Sequence, residues 1–130
     1  MDALFTNVNW LAVGSSTIAC FMLNALWYSR KMFGVKWAQG VGIDIDVNVG
    51  QSVPALVTQF LGTLLFAWVV ALAVANNSLA SVVLISITFF FLLVAANLLA
   101  EHTVYASVVE GAFVLTMAVI MVAFNFFLQN

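Results

Sequence analysis

The sequence predicts an all-α, polytopic membrane protein: a single domain, residues 1–130, of four transmembrane helices. Three observations carry this. Hydrophobic residues make up 65% of the 130 and charged residues 6%, with a mean hydropathy of +1.18. Soluble domains carry about 25% charged residues, so this chain has too few polar groups to cover a surface in water. The charges are gathered, which leaves 3–29, 47–100 and 111–130 uncharged. Those stretches are continuous Leu, Val, Ala and Phe, without the alternating ten-residue segments of a membrane β-barrel.

A helix needs about 20 apolar residues to cross the hydrocarbon, which places the first span at 9–28. The chain opens Met1-Asp2-Ala3-Leu4-Phe5 and has no base before Arg30, whereas a secretory signal leads with positive charge. The first apolar stretch is therefore expected to stay as an anchor. Thr17-Ile18-Ala19-Cys20 has the outline of a lipoprotein cleavage box, but with Thr where Leu belongs. Cys20 reads as a small core residue; as the single cysteine it excludes an internal disulfide or a thiolate metal cage. Trp10 and Trp27-Tyr28 bracket the span about 26 Å apart along a helix, which matches two interfacial aromatic belts.

Residues 29–53 form the one sizeable extramembrane loop. Arg30-Lys31-Met32-Phe33-Gly34-Val35-Lys36-Trp37 mixes bases with aromatics, as suits a segment lying on an anionic leaflet. All three bases fall here, so the loop is expected in the cytoplasm and both termini outside. Asp44-Ile45-Asp46-Val47-Asn48-Val49-Gly50 has the alternate oxygens of a calcium loop, yet Val49 takes the sixth place where Gly belongs and Ala55 the twelfth instead of Glu. It reads as a polar linker, and no metal is expected.

The uncharged block 47–100 is too long for one crossing, and Asn76-Asn77-Ser78 interrupts it with turn-forming residues. It is expected to fold as a hairpin of spans 54–75 and 79–100. Pro54 opens the first of these, where a missing N–H costs nothing. The last span, 105–128, follows Glu101-His102-Thr103.

Each span carries a strongly polar residue in its loop-side half. Asn24 stands one turn from the end of the first, Gln59 five residues into the second, Asn97 one turn before Glu101, and Glu110 about 7 to 8 Å into the last. The other half offers hydroxyls such as Thr63, Ser81, Ser86, Thr88 and Thr116, with Asn125 near the outer end. Asn97, Glu101 and Tyr105 would share a face if the helix continued through the corner. Glu110, Val114, Met117, Met121 and Asn125 form a second stripe. An ionisable group inside a span costs about 2.5 to 3.5 kcal/mol at mid-bilayer and marks a functional site by default. The candidate proton-, cation- or ligand-binding residues are therefore Glu110, Glu101, His102, Asn97, Gln59 and Asn24, with His102 suited to exchange a proton. Against this stand plainer roles: caps for Glu101 and His102, and interhelical hydrogen bonds of about 0.6 to 1 kcal/mol for the amides.

Asn9-Trp10-Leu11-Ala12-Val13, Ala25-Leu26-Trp27-Tyr28-Ser29, Phe33-Gly34 with Trp37, and Asn97 with Glu101 before Glu110-Gly111-Ala112-Phe113 resemble the DUF1761 family of small bacterial membrane proteins. The likeness covers nearly the whole chain. Members often carry Pro where Arg30 stands and a small residue where Asn24 stands. The resemblance implies four helices in a bacterial inner membrane and supplies no chemistry, since that family has no assigned activity.

The polar groups inside the spans point first to a small homo-oligomeric transporter or permease that binds a proton, cation or small solute at Glu110 and Glu101. The alternative is a structural or accessory membrane subunit, locked by its amides and by small residues such as Gly62, Ala71, Ala73 and Ala75. Catalysis is not expected, because no activated nucleophile is evident, and no cofactor is implied. The only partners expected are lipid, further copies and the solute. A net charge of −2 and a pI near 4.8 leave no basic footprint for nucleic acid.

Overall fold

A computed structural model describes residues 7–27, 34–42 and 53–128. The helices are α1 (Trp10–Trp27), α2 (Gly34–Val41), α3 (Val53–Ala75), α4 (Leu79–Leu99) and α5 (Val104–Phe127). All but α2 are long and apolar enough to cross a membrane, and each lies within one residue of its predicted span. The chain is an all-α, multi-pass membrane protein. The departure is α2, which stands in the segment expected to be a loop. The calcium-like stretch at 44–50, Arg30 and Lys31 lie outside the described residues.

Local signals set the helix ends. Asn9 caps α1, its Oδ1 accepting the Ala12 N–H at 3.2 Å, while its Nδ2 donates to the Leu128 carbonyl at 3.2 Å and ties α1 to the far end of α5. Thr103 caps α5 by accepting from the Ala106 N–H. At the α3–α4 turn, Ser78 N–H reaches the Ala73 carbonyl (2.7 Å) and Asn77 N–H the Val74 carbonyl (3.1 Å), with Asn77 at φ 55°. That pair of bonds is a Schellman end.

The α4–α5 corner repeats the motif, with His102 N–H on the Asn97 carbonyl, Glu101 N–H on the Leu98 carbonyl and Glu101 at φ 66°. The helix therefore stops, and Asn97, Glu101 and Tyr105 do not continue along one face as the spacing suggested. A left-handed backbone suits glycine and strains a residue with a Cβ. Glu101→Gly is expected to stabilise the fold by up to about 1 kcal/mol once the greater chain entropy of glycine is set against that strain. Glu101→Val is expected to destabilise it. Thermal unfolding in mild detergent checks both, and equal midpoints for the two variants would contradict the assignment.

The central helix is α5, which touches all the others, while α4 leans on α5 and meets α3 only lightly despite their tight turn. Val13, Thr17, Cys20, Asn24 and Trp27 form the buried stripe of α1; Ala67, Val70 and Ala71 of α3, and Val114, Met117 and Met121 of α5, complete the centre. Cys20 is fully buried among them, as expected.

Lipid gives no hydrophobic drive between helices, so their association depends on close fit. A Cβ on Gly111 would stand 2.7 Å from Phe90 Cδ1 and 3.1 Å from Val94 Cγ2, and one on Gly40 would overlap Thr103 Oγ1 and lie 2.7 Å from Ala106 Cβ. Gly62, expected at a helix contact, instead faces open space; of the other small residues, Ala71 is buried and Ala73 and Ala75 are partly so.

Trp27 corrects a second expectation. It is 9% exposed, donates Nε1–H to the Val109 carbonyl at 3.1 Å and packs its ring 5.7 Å from that of Phe113. It clamps α1 to α5 rather than sitting in an aromatic belt. Trp10 is 47% exposed, with its ring 5.5 Å from that of Trp68.

Candidate functional site

The short helix α2 positions one wall of the site. Gly40 lets it settle on the start of α5, where the Thr103 N–H bonds the Gly40 carbonyl at 3.0 Å. Ala38 is buried against the bundle, and Lys36 Nζ lies 5.1 Å from the centre of the Tyr105 ring, a cation–π distance. The part of the segment expected on the leaflet that forms α2 is thus docked on the protein through Lys36, Ala38 and Gly40. Docking carries Trp37 over the interior.

Beneath Trp37 lies a cavity of about 620 Å³, at the end of the bundle where α3 begins. Asn24 of α1, Gln59 and Thr63 of α3 and Glu110 of α5 supply its polar groups; Leu93, Phe113 and Met117 close the apolar side. That volume is in the range of small-molecule pockets. Glu110 is half-buried, with the side chains of Trp37 and Asn97 against its carboxyl group and His102 near enough to act on it by charge.

Asn97 fixes the histidine. Its Nδ2 donates to the Leu93 carbonyl at 2.8 Å, so its Oδ1 is the atom 2.7 Å from His102 Nδ1. Nδ1 therefore carries a proton, and in the neutral ring Nε2 is the basic nitrogen.

Five of the six candidates gather here: Asn24, Gln59 and Glu110 in the cavity, Asn97 and His102 on its flank. Glu101 does not. It is exposed on the α4–α5 corner, and its sequence position is explained by the turn. Sequence reasoning missed Trp37, whose only signal was the small pair Ala38 and Gly40 beside it, and also the mouth at Pro54, Ala55 and Thr58. No family model, curated protein or solved structure matches the chain. The site's own chemistry must carry the reading.

That chemistry is a carboxylate with amide and indole neighbours, suited to hold a proton or a cation. No group of three His, Cys, Asp or Glu side chains able to hold a metal ion occurs among the described residues.

Two further findings bear on it. The amides of Asn97 and Asn125 bond the carbonyls of Leu93 and Met121, four residues back in their own helices. These two bonds stay within one helix, while the Asn97 side chain also lies against Glu110 of α5. The hydroxyls of Thr17, Thr63, Ser86, Thr88 and Thr116 likewise return to their own helices.

The opposite end is also less apolar than expected. Asn7, Asn9, Asn77 and Asn125 line a second pocket of about 250 Å³. Between the two pockets Cys20, Val70, Met117 and Met121 are packed at 0 to 6% exposure.

Proposed function

We propose that this chain is a small permease-like transporter that holds a proton or a cationic solute at Glu110, acting as a homo-oligomer in a bacterial inner membrane. Its α2 side faces the cytoplasm, and both termini face outward. Membership of the DUF1761 family is part of the same proposal. One observation carries the reading: a half-buried carboxylate, with indole and amide side chains against it, opens into a cavity of about 620 Å³ large enough for a small organic molecule. The polar pocket at the other end, beyond an apolar plug, adds the second mouth that a carrier requires.

A structural or accessory subunit is the second reading, favoured by the same plug, since nothing passes through a single subunit packed in this way. Native mass spectrometry from mild detergent, wild type beside Glu110→Gln, separates the two. The transport reading expects a non-lipid ligand retained by the wild type and lost in the variant, with oligomer number unchanged. Identical assemblies carrying only lipid would favour the structural role.

A further inference from the structure

We propose that the ligand of the Glu110 cavity is an amphiphilic amine, its ammonium head against Glu110 and its alkyl chain lying in the groove between α3 and α4. This rests on the reading that Glu110 holds a cation, and it adds the ligand's class and its route of entry.

The groove has a volume of about 550 Å³ and is lined by Leu65, Phe66, Val69, Leu84 and Phe89. It meets the carboxylate cavity at Gly62, which lines both. Gly62 carries no side chain, and nothing lies within 4 Å of where its Cβ would stand. The passage follows from the light contact of α3 with α4, while the Phe66 and Phe89 rings, 5.6 Å apart, close the hairpin further along.

Leu65, Val69 and Leu84 are 56%, 41% and 67% exposed on the face of the bundle that meets lipid. The route into the site is therefore sideways from the bilayer as well as through the mouth. From Gly62 to Val69 is about 10 Å along the helix, room for an extended alkyl chain. Thr88, the hydroxyl in the groove, is already bonded to the Leu84 carbonyl, so the groove offers no competing polar anchor.

The head group follows from charge. A carboxylate attracts ammonium and repels a phosphate brought into the same low-dielectric space, so the site selects an alkylamine over a phospholipid. Hydrogen-bond acceptors for the ammonium protons come from Glu110 and from the side-chain oxygens of Gln59 and Asn24.

The test uses full-length protein in phosphatidylcholine nanodiscs with three probes: dodecylamine bearing a diazirine at the chain end, the matching dodecanol, and methylammonium as competitor. Mass-spectrometric mapping is expected to place the amine's crosslinks on groove residues such as Leu65, Val69 or Leu84, at least tenfold above those of the alcohol, with methylammonium lowering them. Gly62→Leu, a helix-compatible change into open space, should cut them tenfold; Glu110→Gln should lower both the crosslinks and methylammonium binding at least tenfold. Equal labelling by alcohol and amine, or labelling indifferent to Gly62→Leu, overturns the groove proposal while the cation site stands. Methylammonium binding indifferent to Glu110→Gln overturns the cation site as well.

Discussion

Gly111→Leu is expected to separate α4 from α5 and to destabilise the bundle by about 2 to 3 kcal/mol, the upper range for overpacking. The α4–α5 contact is the most extensive in the fold, and Gly111 is buried at its centre. Even a Cβ there would meet Phe90 at 2.7 and 3.0 Å and Val94 at 3.1 Å. Alanine is a milder change, because the half-buried Phe90 ring can swing toward lipid and alanine recovers about 1 kcal/mol of helix propensity over glycine. Gly111→Ala should therefore stay near wild type. Leucine has branches that the ring cannot avoid. Thermal unfolding in detergent should give the order wild type close to alanine, with leucine well below; a leucine variant as stable as wild type would show that this contact does not hold α4.

Gly40→Val is expected to release α2 from the bundle while the four spans remain. The valine Cβ would overlap Thr103 Oγ1 and stand 2.7 Å from Ala106 Cβ. Neither can retreat: Thr103 caps α5 and Ala106 is fully buried. Since Trp37 rides on α2, its release unroofs the Glu110 cavity. A thiol placed by Ala38→Cys reports this, because Ala38 is 1% exposed and the native Cys20 is 0% exposed. Maleimide labelling of Ala38→Cys should be slow alone and at least tenfold faster with Gly40→Val. Equal rates would mean that α2 is not held at Gly40.

The spans were legible because bilayer crossing is written in composition: uncharged blocks of known length, broken at Asn76-Asn77-Ser78, leave little freedom in where helices end. What sequence could not supply was rotation about the helix axes and contact between distant segments. Trp27 shows the first. Its spacing from Trp10 fits two belts, but the set Val13, Thr17, Cys20, Asn24 and Trp27 recurs at intervals of three and four residues, the pattern of one buried face, and that outweighs the belt. The helix α2 shows the second, since its eight residues gain their place from Gly40 and Ala38 against a helix more than sixty residues later. Glu101 hid its turn because the left-handed position of a Schellman end is usually glycine. The gathering of Asn24, Gln59, Asn97 and Glu110 was visible as a shared depth in four spans; Trp37 was not, because depth is undefined for a residue outside them.

The central claim is that Glu110 holds a cation beneath Trp37, and tryptophan fluorescence titration with methylammonium in phosphatidylcholine nanodiscs tests it most directly. The expected result is a saturable change in the wild type that disappears in Trp37→Phe and weakens at least tenfold in affinity in Glu110→Gln. Titrations of wild type and Glu110→Gln that superimpose would contradict it.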